Sequence, residues 1–374
     1  MNIHPCYTLR NLVLAAVLAV GFASSALAQE VATFFVDLNS KEASTLGGES
    51  SYASGINDLG QVVGDFRTAN GFSHAFITGL DGIGMTDLGT LGGGDSVARG
   101  INRAGQVVGE SGTANGPSHA FITGPNGKGM TDLGTLGGNY SAAYGINDSG
   151  QVVGYSWTVN GTVPHAFITG PNGVGMTDLG SLGGGESYAF GINNSGQVVG
   201  VSMTSDGQIP HAFITGPNGA GMTDLGTLGK DYSYAYGIND AGQVVGNFVS
   251  HNEPSHAFIT GANGLGMTDL GTLGGLNSQA RGINDAGQVV GGSDTGDGVT
   301  HAYITGPDGA GMTNLASLVN PPTRFIYVSA TAINNHGQLV VVGDVPLVPE
   351  PEMYSMLLLG LGLIGFLAGR RATA

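Results

Sequence analysis

The chain has 374 residues and a formal net charge of −16 at pH 7. Between residues 29 and 349, 25 acidic residues stand against 8 basic ones, so this part of the chain lacks the basic face that nucleic acids and anionic lipid surfaces attract. The one cysteine, Cys6, lies near the N-terminus, which excludes disulfides and thiol chemistry from the rest of the chain.

Residues 1–28 have the pattern of a secretory signal peptide. Arg10 precedes an apolar run over residues 12–22, and Ala26 and Ala28 supply the small residues that a signal peptidase recognises. We expect cleavage after Ala28. A membrane helix that stays in the mature protein is the alternative, but the apolar run is short for one.

Residues 29–346 form a tandem repeat. The segment His-Ala-Phe-Ile-Thr returns every 45 or 46 residues, beginning at His74, His119, His165, His211 and His256, with His-Ala-Tyr-Ile-Thr at His301. Apolar and β-branched runs between glycine-rich breaks predict strands, and no helical period is present. We label four strands per unit: a (Ala-x-Gly-Ile-Asn), b (Gly-Gln-Val-Val-Gly), c (His-Ala-Phe-Ile-Thr) and d (Met-Thr-Asp-Leu).

Two turns divide each unit. In residues 147–151, Asp148 and Ser149 predict a type I turn followed by Gly150 in the left-handed region, which reverses strand a into strand b. The stretch Gly-Pro-Asn-Gly at 170–173 predicts a second turn, in which proline presets φ and glycine accepts a positive φ.

A unit of about 45 residues with four antiparallel strands is typical of a β-propeller blade. We count 27 strands, which make six complete blades and leave strands a and b at the C-terminus and one strand, 35–38, at the N-terminus. The prediction is an all-β, seven-bladed propeller whose N-terminal strand, in position d, closes a three-stranded last blade. An open β-solenoid is the alternative.

The repeat motifs resemble a known family. His-Ala-Phe, Asp-Leu-Gly-Thr-Leu-Gly-Gly and Gly-Ile-Asn-Asp-x-Gly-Gln-Val-Val-Gly together resemble the HAF extracellular repeat, over about four-fifths of the chain. That resemblance implies an extracellular location and a repeat architecture. It implies no particular activity.

Residues 347–374 resemble a sorting signal. Val348, Pro349, Glu350 and Pro351 precede an apolar stretch over residues 353–368, and Arg370 and Arg371 follow. This stretch predicts a transmembrane helix of roughly 24 Å, with the arginines on the cytoplasmic side. The three elements resemble the PEP-CTERM signal of Gram-negative bacteria. The resemblance implies transient anchoring in the inner membrane, cleavage by an exosortase, and a final location at the cell surface or in the matrix, often with exopolysaccharide. A permanent tail anchor is the alternative.

The repeated polar residues favour structural roles over chemistry. Equivalent histidines in successive blades are rotated apart around the ring, so they are not expected to converge on one metal ion. The aspartates of strand d and the asparagines before the hairpin turn are expected to make local hydrogen bonds. Asp294 and Asp297 lie in one irregular hairpin with a spacing loosely like that of a calcium loop, but the downstream acid of an EF-hand is missing. We predict no catalytic residue and no cofactor, with Ca²⁺ at this hairpin as the alternative.

Ligand recognition is expected where the copies differ. The segments between strands b and c vary. A second variable set precedes strand a and carries Tyr140, Tyr144, Tyr188, Tyr232, Tyr234 and Tyr236. The candidate ligand rim consists of Tyr155, Trp157, Tyr188, Tyr232 and Tyr234, since aromatic rings stack on sugars and on proteins. Packing within the strands is the alternative for these tyrosines.

Two functions of different class follow. The favoured one is a non-catalytic surface or matrix protein that binds polysaccharide or another protein through a propeller rim. The alternative is a secreted propeller hydrolase or lyase acting on polysaccharide, which requires acids and a base converging at the ring axis.

Overall fold

A computed structural model describes residues 31–46, 51–159, 163–206, 209–250, 253–319 and 326–344. The predicted signal cleavage site at Ala26 and Ala28 and the predicted sorting signal lie outside these residues, as does the expected helix 353–368. Within the described ranges no helix is long and apolar enough to cross a membrane.

Seven antiparallel sheets of four strands form the fold, so the predicted seven-bladed propeller is confirmed. Blades 1 to 6 follow chain order, and the strands of each run from a to d. They are β3 to β6 (Ser51–Ile56, Val62–Arg67, Ser73–Thr78, Met85–Asp87), β7 to β10 (Gly92–Ile101, Val107–Thr113, Gly116–Thr123, Met130–Asp132), β11 to β14 (Gly137–Ile146, Val152–Thr158, Pro164–Thr169, Met176–Asp178), β15 to β18 (Gly183–Ile192, Val198–Thr204, Pro210–Thr215, Met222–Asp224), β19 to β22 (Tyr232–Ile238, Val244–Ser250, Glu253–Thr260, Met267–Gly271) and β23 to β26 (Gly274–Ile283, Val289–Thr295, Thr300–Thr305, Met312–Asn314).

Blade 7 joins the two ends of the described body. Its strands a and b are β27 (Ile326–Ile333) and β28 (Gln338–Asp344), and its strands c and d are β1 (Val31–Asp37) and β2 (Glu42–Thr45). Strand β1 pairs with β28 at seven positions, from Val31 opposite Asp344 to Asp37 opposite Gln338.

The closing blade corrects one detail of the sequence prediction. The expected N-terminal strand occupies position c instead of d, and β2 completes a four-stranded blade, so the described residues hold 28 strands instead of 27. Strand β2 was missed because its sequence, Glu-Ala-Ser-Thr, has no apolar run. Three of its four residues are exposed at the outer edge.

The turns follow the glycine chemistry. Gly150 has φ of 77° and donates its N–H to the carbonyl of Asn147 at 2.9 Å, which confirms the predicted a–b turn. In the c–d turn, Asn172 adopts φ of 55° as well as Gly173 with 73°. The c–d turns of blades 1 to 6 are single 3₁₀ turns, and a seventh follows β26; they are Leu80–Gly82, Pro125–Gly127, Pro171–Gly173, Pro217–Gly219, Ala262–Gly264, Pro307–Gly309 and Leu315–Ser317.

Neighbouring blades bury their apolar residues against each other. The cluster between blades 1 and 2 consists of Val63, Ala75, Ile77, Ala98, Val107 and Phe121. The same six positions form the clusters between blades 2 and 3, 3 and 4, and 5 and 6. Phe121 is completely buried, and burial of such a ring stabilises the fold by about 1.5–3 kcal/mol. The core is therefore a ring of similar interfaces between blades.

Repeated serine and threonine hydroxyls form hydrogen bonds to backbone groups that the pairing between neighbouring strands leaves unsatisfied. Ser141 on strand a of blade 3 accepts the N–H of Ala120 in blade 2 at 2.9 Å and donates to the carbonyl of Gly134 at 2.6 Å. Thr123 at the end of strand c accepts the N–H of Val107 at 2.9 Å. These hydroxyls satisfy buried backbone groups, and blades 1 to 6 each contain both of them.

A β-bulge in strand a requires glycine in strand b. The pairing register of β11 shifts between Ala143 and Gly145, and a Cβ placed on Gly154 would lie 1.9 Å from the carbonyl oxygen of Ala142. This close approach recurs at Gly64, Gly109, Gly200, Gly246 and Gly291. The second glycine of Gly-Gln-Val-Val-Gly is therefore a steric requirement.

Candidate functional site: the central channel

Strand a of every blade lines a central channel. The a–b turns lie on one face of the propeller, and the b–c loops lie on the other. Seven isoleucines, one per blade, form an apolar collar in the channel: Ile56, Ile101, Ile146, Ile192, Ile238, Ile283 and Ile333. A cavity of about 250 Å³ lies on the b–c side of the collar, and one of about 180 Å³ lies on the a–b side.

A closed ring of asparagines follows the collar on the a–b side. Each side-chain amide donates to the backbone carbonyl of the equivalent asparagine in the next blade, at 3.0–3.3 Å. The ring contains Asn57, Asn102, Asn147, Asn193, Asn239, Asn284 and Asn334. All seven are at most 5% exposed. The structural role expected for these asparagines is therefore present, and it extends beyond the local turn to the neighbouring blade.

The next residue of each turn forms a charged ring at the a–b mouth of the channel. Its members are Asp58, Arg103, Asp148, Asn194, Asp240, Asp285 and Asn335. In six blades the backbone N–H donates to the side-chain oxygen of the next member at 2.8–3.0 Å. This series of hydrogen bonds is interrupted between Asp58 and Arg103, because the guanidinium of Arg103 cannot accept a hydrogen bond. Four carboxylates and one guanidinium thus gather around the axis.

An aromatic arc lies on the b–c side of the collar, and its members Phe190 and Arg281 line the larger cavity. We use this name for Arg99, Tyr144, Phe190, Tyr236 and Arg281, which occupy the same position of strand a in blades 2 to 6. The guanidinium of Arg99 lies 4.6 Å from the centre of the Tyr144 ring, and that of Arg281 lies 5.0 Å from the centre of the Tyr236 ring. Phe190 contacts the rings of both tyrosines, with centroids 5.3 and 5.7 Å away. The five side chains form one continuous series of contacts.

A second tier of tyrosines packs against the arc. The ring of Tyr155 stacks on Tyr140 with centroids 5.8 Å apart, and it meets Tyr144 and Tyr188 at 6.0 and 5.0 Å. Tyr234 stacks on Tyr236 at 6.5 Å with the planes 6° apart. All of these rings are half-buried. The channel therefore opens on the b–c side into a surface built largely of aromatic rings.

Glu110 joins the two tiers at one end. Its carboxylate accepts hydrogen bonds from the Arg99 guanidinium and from the Tyr140 hydroxyl. Burial raises the pKa of Tyr144 and Tyr188 to about 12, and it also raises the pKa of Tyr140, Tyr234 and Tyr236. These hydroxyls therefore stay protonated at neutral pH and keep a proton to donate.

The structure brings three of the five predicted rim residues together. Tyr155, Tyr188 and Tyr234 belong to the second tier. Trp157 lies two residues after Tyr155 on β12, so both side chains are on the same side of the sheet. A Cβ placed on Gly138 would lie 2.6 Å from the Cβ of Trp157. No ring contact joins Trp157 to another aromatic side chain in the described ranges. Tyr232 begins β19, two residues before Tyr234.

Arg99, Phe190, Arg281 and Glu110 were not among the predicted site residues. The signal for Arg99, Phe190 and Arg281 is the alternation within strand a, where Ser and Ala repeat at every second position and the positions between them vary from copy to copy. Glu110 lies on strand b, at the variable position that Tyr155 occupies in blade 3. The repeated positions face the neighbouring blade and are buried, as Ser141 and Ala143 are. The variable positions of strand a are those of the arc and of Tyr140, Tyr188 and Tyr234 in the second tier.

The repeated histidines make pairs within single blades. His74, His119, His165, His211 and His256 each place Nδ1 2.7–2.9 Å from the aspartate of strand d, namely Asp87, Asp132, Asp178, Asp224 and Asp269. Each aspartate also accepts the N–H of the glycine two residues later at 2.7 Å. In blade 6, Asn314 takes the place of the aspartate, and Nδ1 of His301 is buried with no partner in the described residues.

The hairpin with the calcium-like spacing is held by its own hydrogen bonds. Asp294 accepts from Asn277 and Thr300 at 2.7–3.2 Å, and Asp297 accepts from Thr295 and from the N–H of Val299. Across the described ranges, no group of three or more His, Cys, Asp or Glu residues is arranged to hold a metal ion.

Comparison with known proteins identifies the C-terminal segment. Residues 347–372 match the PEP-CTERM protein-sorting motif, which confirms that part of the resemblance. The motif indicates an exported protein that an exosortase processes, with a membrane-linked location at the surface. No curated protein sequence matches the chain.

Three solved structures of similar shape have TM-scores just above 0.5, and one of them is described as a β-propeller domain. The β-propeller domain of the Trilobed protease from Pyrococcus furiosus, described as having an open velcro topology, has a TM-score of 0.52 at 10% identity, covering 79% of this chain and 90% of that one. A prolyl endopeptidase gives 0.53 at 10% identity, over 83% and 46% of the two chains. A puromycin-hydrolyzing peptidase from Mycobacterium tuberculosis gives 0.51 at 12%, over 76% and 50%. At these identities the likeness concerns the fold alone. The chain is thus an exported seven-bladed β-propeller that carries a PEP-CTERM sorting motif.

Proposed function

We propose that the mature protein is a non-catalytic binding protein of the cell surface or extracellular matrix, and that it holds a polysaccharide on the aromatic arc and its second tier. The expected HAF-repeat character of the body agrees with this location. One observation carries the proposal: seven aromatic rings contact one another around one mouth of the channel.

The composition of this mouth suits sugars. Aromatic rings present flat apolar faces to the C–H groups of a pyranose, while tyrosine hydroxyls, Glu110 and the arginines supply hydrogen-bonding groups at the edges. The body carries far more acidic than basic residues, which disfavours nucleic acid as the ligand. The scaffold residues are occupied with contacts between blades, so the variable positions are those available for recognition.

The test compares two tyrosines at equivalent positions of strand a. Tyr234 stacks on Tyr236 in the second tier, whereas Tyr52 in blade 1 is 47% exposed and lies outside the arc. We expect Tyr234→Ala to weaken binding of a panel of extracellular polysaccharides in calorimetric titrations, and Tyr52→Ala to leave it unchanged. Equal effects of both substitutions, or no binding by the unaltered protein, would refute the proposal.

Trp157 provides a second probe. It lies on the same side of β12 as Tyr155, closer to the b–c loops, so we expect Trp157→Ala to reduce glycan binding while the circular dichroism spectrum stays unchanged. Its fluorescence in the unaltered protein should respond to the same ligands. A fluorescence signal that stays constant during saturable binding would remove Trp157 from the site.

A hydrolase or lyase acting on polysaccharide is the second candidate function. The observation in its favour is the gathering of Asp58, Asp148, Asp240, Asp285 and Arg103 at the a–b mouth. Asp148 and Asp240 accept backbone N–H groups of neighbouring blades, as expected of ring-closing contacts. New reducing ends or unsaturated products in polysaccharide incubations, lost on Asp240→Asn, would establish this activity in place of pure binding.

Truncation tests the hypothesis that the C-terminal motif directs sorting and processing by an exosortase. Removal of residues 348–374 should release the protein from the membrane fraction, because the PEP-CTERM motif at 347–372 would be lost. Arg370→Ala with Arg371→Ala should impair processing while leaving the propeller intact. Unchanged fractionation and unchanged chain length in both variants would contradict processing by an exosortase.

A further inference from the structure

The aromatic arc is open on one side. Blades 7 and 1 carry Thr331 and Ser54 at the position that holds a large side chain in blades 2 to 6. Both hydroxyls donate to backbone carbonyls, Thr331 to Ala53 and Ser54 to Ala98. The two small residues leave a gap in the arc, and the arginines at the two ends of the arc, Arg99 and Arg281, flank it.

The two arginines differ in how their charge is balanced. Arg99 forms an ion pair with Glu110, and the half-buried carboxylate of Asp65, whose pKa is raised by burial, is also close enough to Arg99 to interact with it. Arg281 is exposed and donates one hydrogen bond to the amide oxygen of Gln279 at 3.1 Å. In the described part of the chain no carboxylate lies within ion-pairing distance of Arg281.

An arginine without a nearby carboxylate is unusual in a propeller with so many acidic residues. Only 8 basic residues accompany 25 acidic ones between residues 29 and 349, yet Arg281 lines the 250 Å³ cavity, as Phe190 does, and lies over the ring of Tyr236. Stacking on Tyr236 fixes the plane of the guanidinium, and most of its five N–H donors are left for a ligand. The planar fork matches a carboxylate, which it binds through two parallel hydrogen bonds.

We propose, building on the function proposed above, that the ligand is an acidic polysaccharide and that Arg281 binds the carboxylate of a uronic acid unit. The pyranose ring of that unit stacks on Phe190, which lines the cavity, and its carboxylate enters the gap beside Thr331. The cavity is smaller than the about 300–1,000 Å³ of pockets that enclose a drug-sized molecule. One sugar unit therefore occupies the channel, while its neighbours along the polymer lie across the second tier.

The experiment separates charge from stacking. Hexasaccharides of galacturonic, glucuronic and mannuronic acid, each paired with its methyl ester, are titrated into the mature protein by calorimetry at about 0.15 M salt. At that ionic strength the Debye length is about 8 Å, so the net negative charge of the body is largely screened from the ligand. The ester keeps the sugar ring and removes the charge.

Arg103 provides the matched control variant. It is exposed in the charged ring at the opposite mouth, beyond the isoleucine collar, and its backbone N–H, which no substitution removes, makes the contact to Asp148. We expect at least one acid to bind about tenfold or more tightly than its ester, in keeping with a charge-assisted hydrogen-bonded pair. Arg281→Gln should abolish that preference, so that the acid and its ester bind with equal affinity. Arg103→Gln should preserve it.

Other outcomes distinguish this inference from the function on which it rests. Equal affinity for acid and ester, equal effects of Arg281→Gln and Arg103→Gln, or binding of neutral polysaccharides alone would overturn the inference, while the aromatic arc would remain a glycan site. If neither the acids nor the esters nor the neutral panel bind, the proposed function fails and the inference fails with it.

Discussion

Substitution of one asparagine in the buried ring tests whether side chains between blades hold the propeller closed. Asn193 is 4% exposed. Its amide donates to Gln197 Oε1 at 2.8 Å and to the carbonyl of Asn239 in the next blade at 3.1 Å. Its oxygen accepts from the N–H of Gln197 at 2.9 Å and from the Ser195 hydroxyl at 2.8 Å.

Asn193→Ala removes these four hydrogen bonds and leaves their partners behind. A net contribution of about 1 kcal/mol per bond gives about 4 kcal/mol, and a buried group left unsatisfied costs about 1–3 kcal/mol. We therefore expect a loss of about 3–5 kcal/mol in the free energy of unfolding, measured by chemical denaturation of the mature chain. No compensation within the blade is available, since the carbonyl of Asn239 belongs to the next blade.

The neighbouring residue is a matched control. Asn194 is exposed in the charged ring, where its amide donates to Asp240 at 2.9 Å and its oxygen accepts the N–H of Asp148 at 3.0 Å. Because water replaces these partners, Asn194→Ala should cost about 1 kcal/mol or less. A loss below about 1 kcal/mol for Asn193→Ala, or equal losses for both variants, would refute the argument that the buried ring closes the propeller.

Three further substitutions and conditions have defined outcomes. Gly200→Ala places a Cβ 1.9 Å from the carbonyl oxygen of Tyr188, so it should prevent native folding or lower the thermal midpoint strongly; a native-like midpoint would contradict the bulge geometry. Tyr303→Phe removes a buried hydroxyl without a partner among the described residues and restores the residue found in the other copies, so it should raise stability by about 1 kcal/mol, and a lower midpoint would reveal a partner. Burial raises the pKa of Tyr188 from 10 to about 12, so the stability linked to its neutral form is complete below pH 10 and is lost as the pH rises from 10 to 12. Tyr188→Phe should flatten this alkaline decline in denaturation midpoints, and an equally steep decline in the variant would contradict the reasoning.

The sequence predicted the blades well because the repeat displays them directly. Strand length, turn chemistry and the step of 45 or 46 residues each follow from local preferences, and the same local rules placed glycine at Gly150 with a positive φ. The error came at β2, where Glu-Ala-Ser-Thr at an exposed edge carries no apolar pattern. Neither its existence nor the position of β1 within blade 7 follows from local sequence.

The candidate site was predicted less completely. Whether equivalent residues of neighbouring blades contact one another depends on how far those residues lie from the axis of the propeller. The histidines lie on strand c, away from the axis, and do not converge, as the rotation of successive blades predicts. Close to the axis the same rotation brings neighbouring copies into contact, as in the asparagine ring and the aromatic arc. Tyr155, Tyr188 and Tyr234 were found from their variability and aromatic character. Arg99 and Arg281 were missed because an arginine in a strand gives no sign of the ring on which it stacks.

The composition of blade 7 has a consequence for the order of folding. Strands β1 and β2 are made first, but their partner β28 is made last, some 300 residues later along the chain. Pairing across such a separation is slow to form. Strands β1 and β2 can pair with each other early, but the other edge of β1 lacks its partner until β28 has been made, so the ring closes only after the whole repeat array is present.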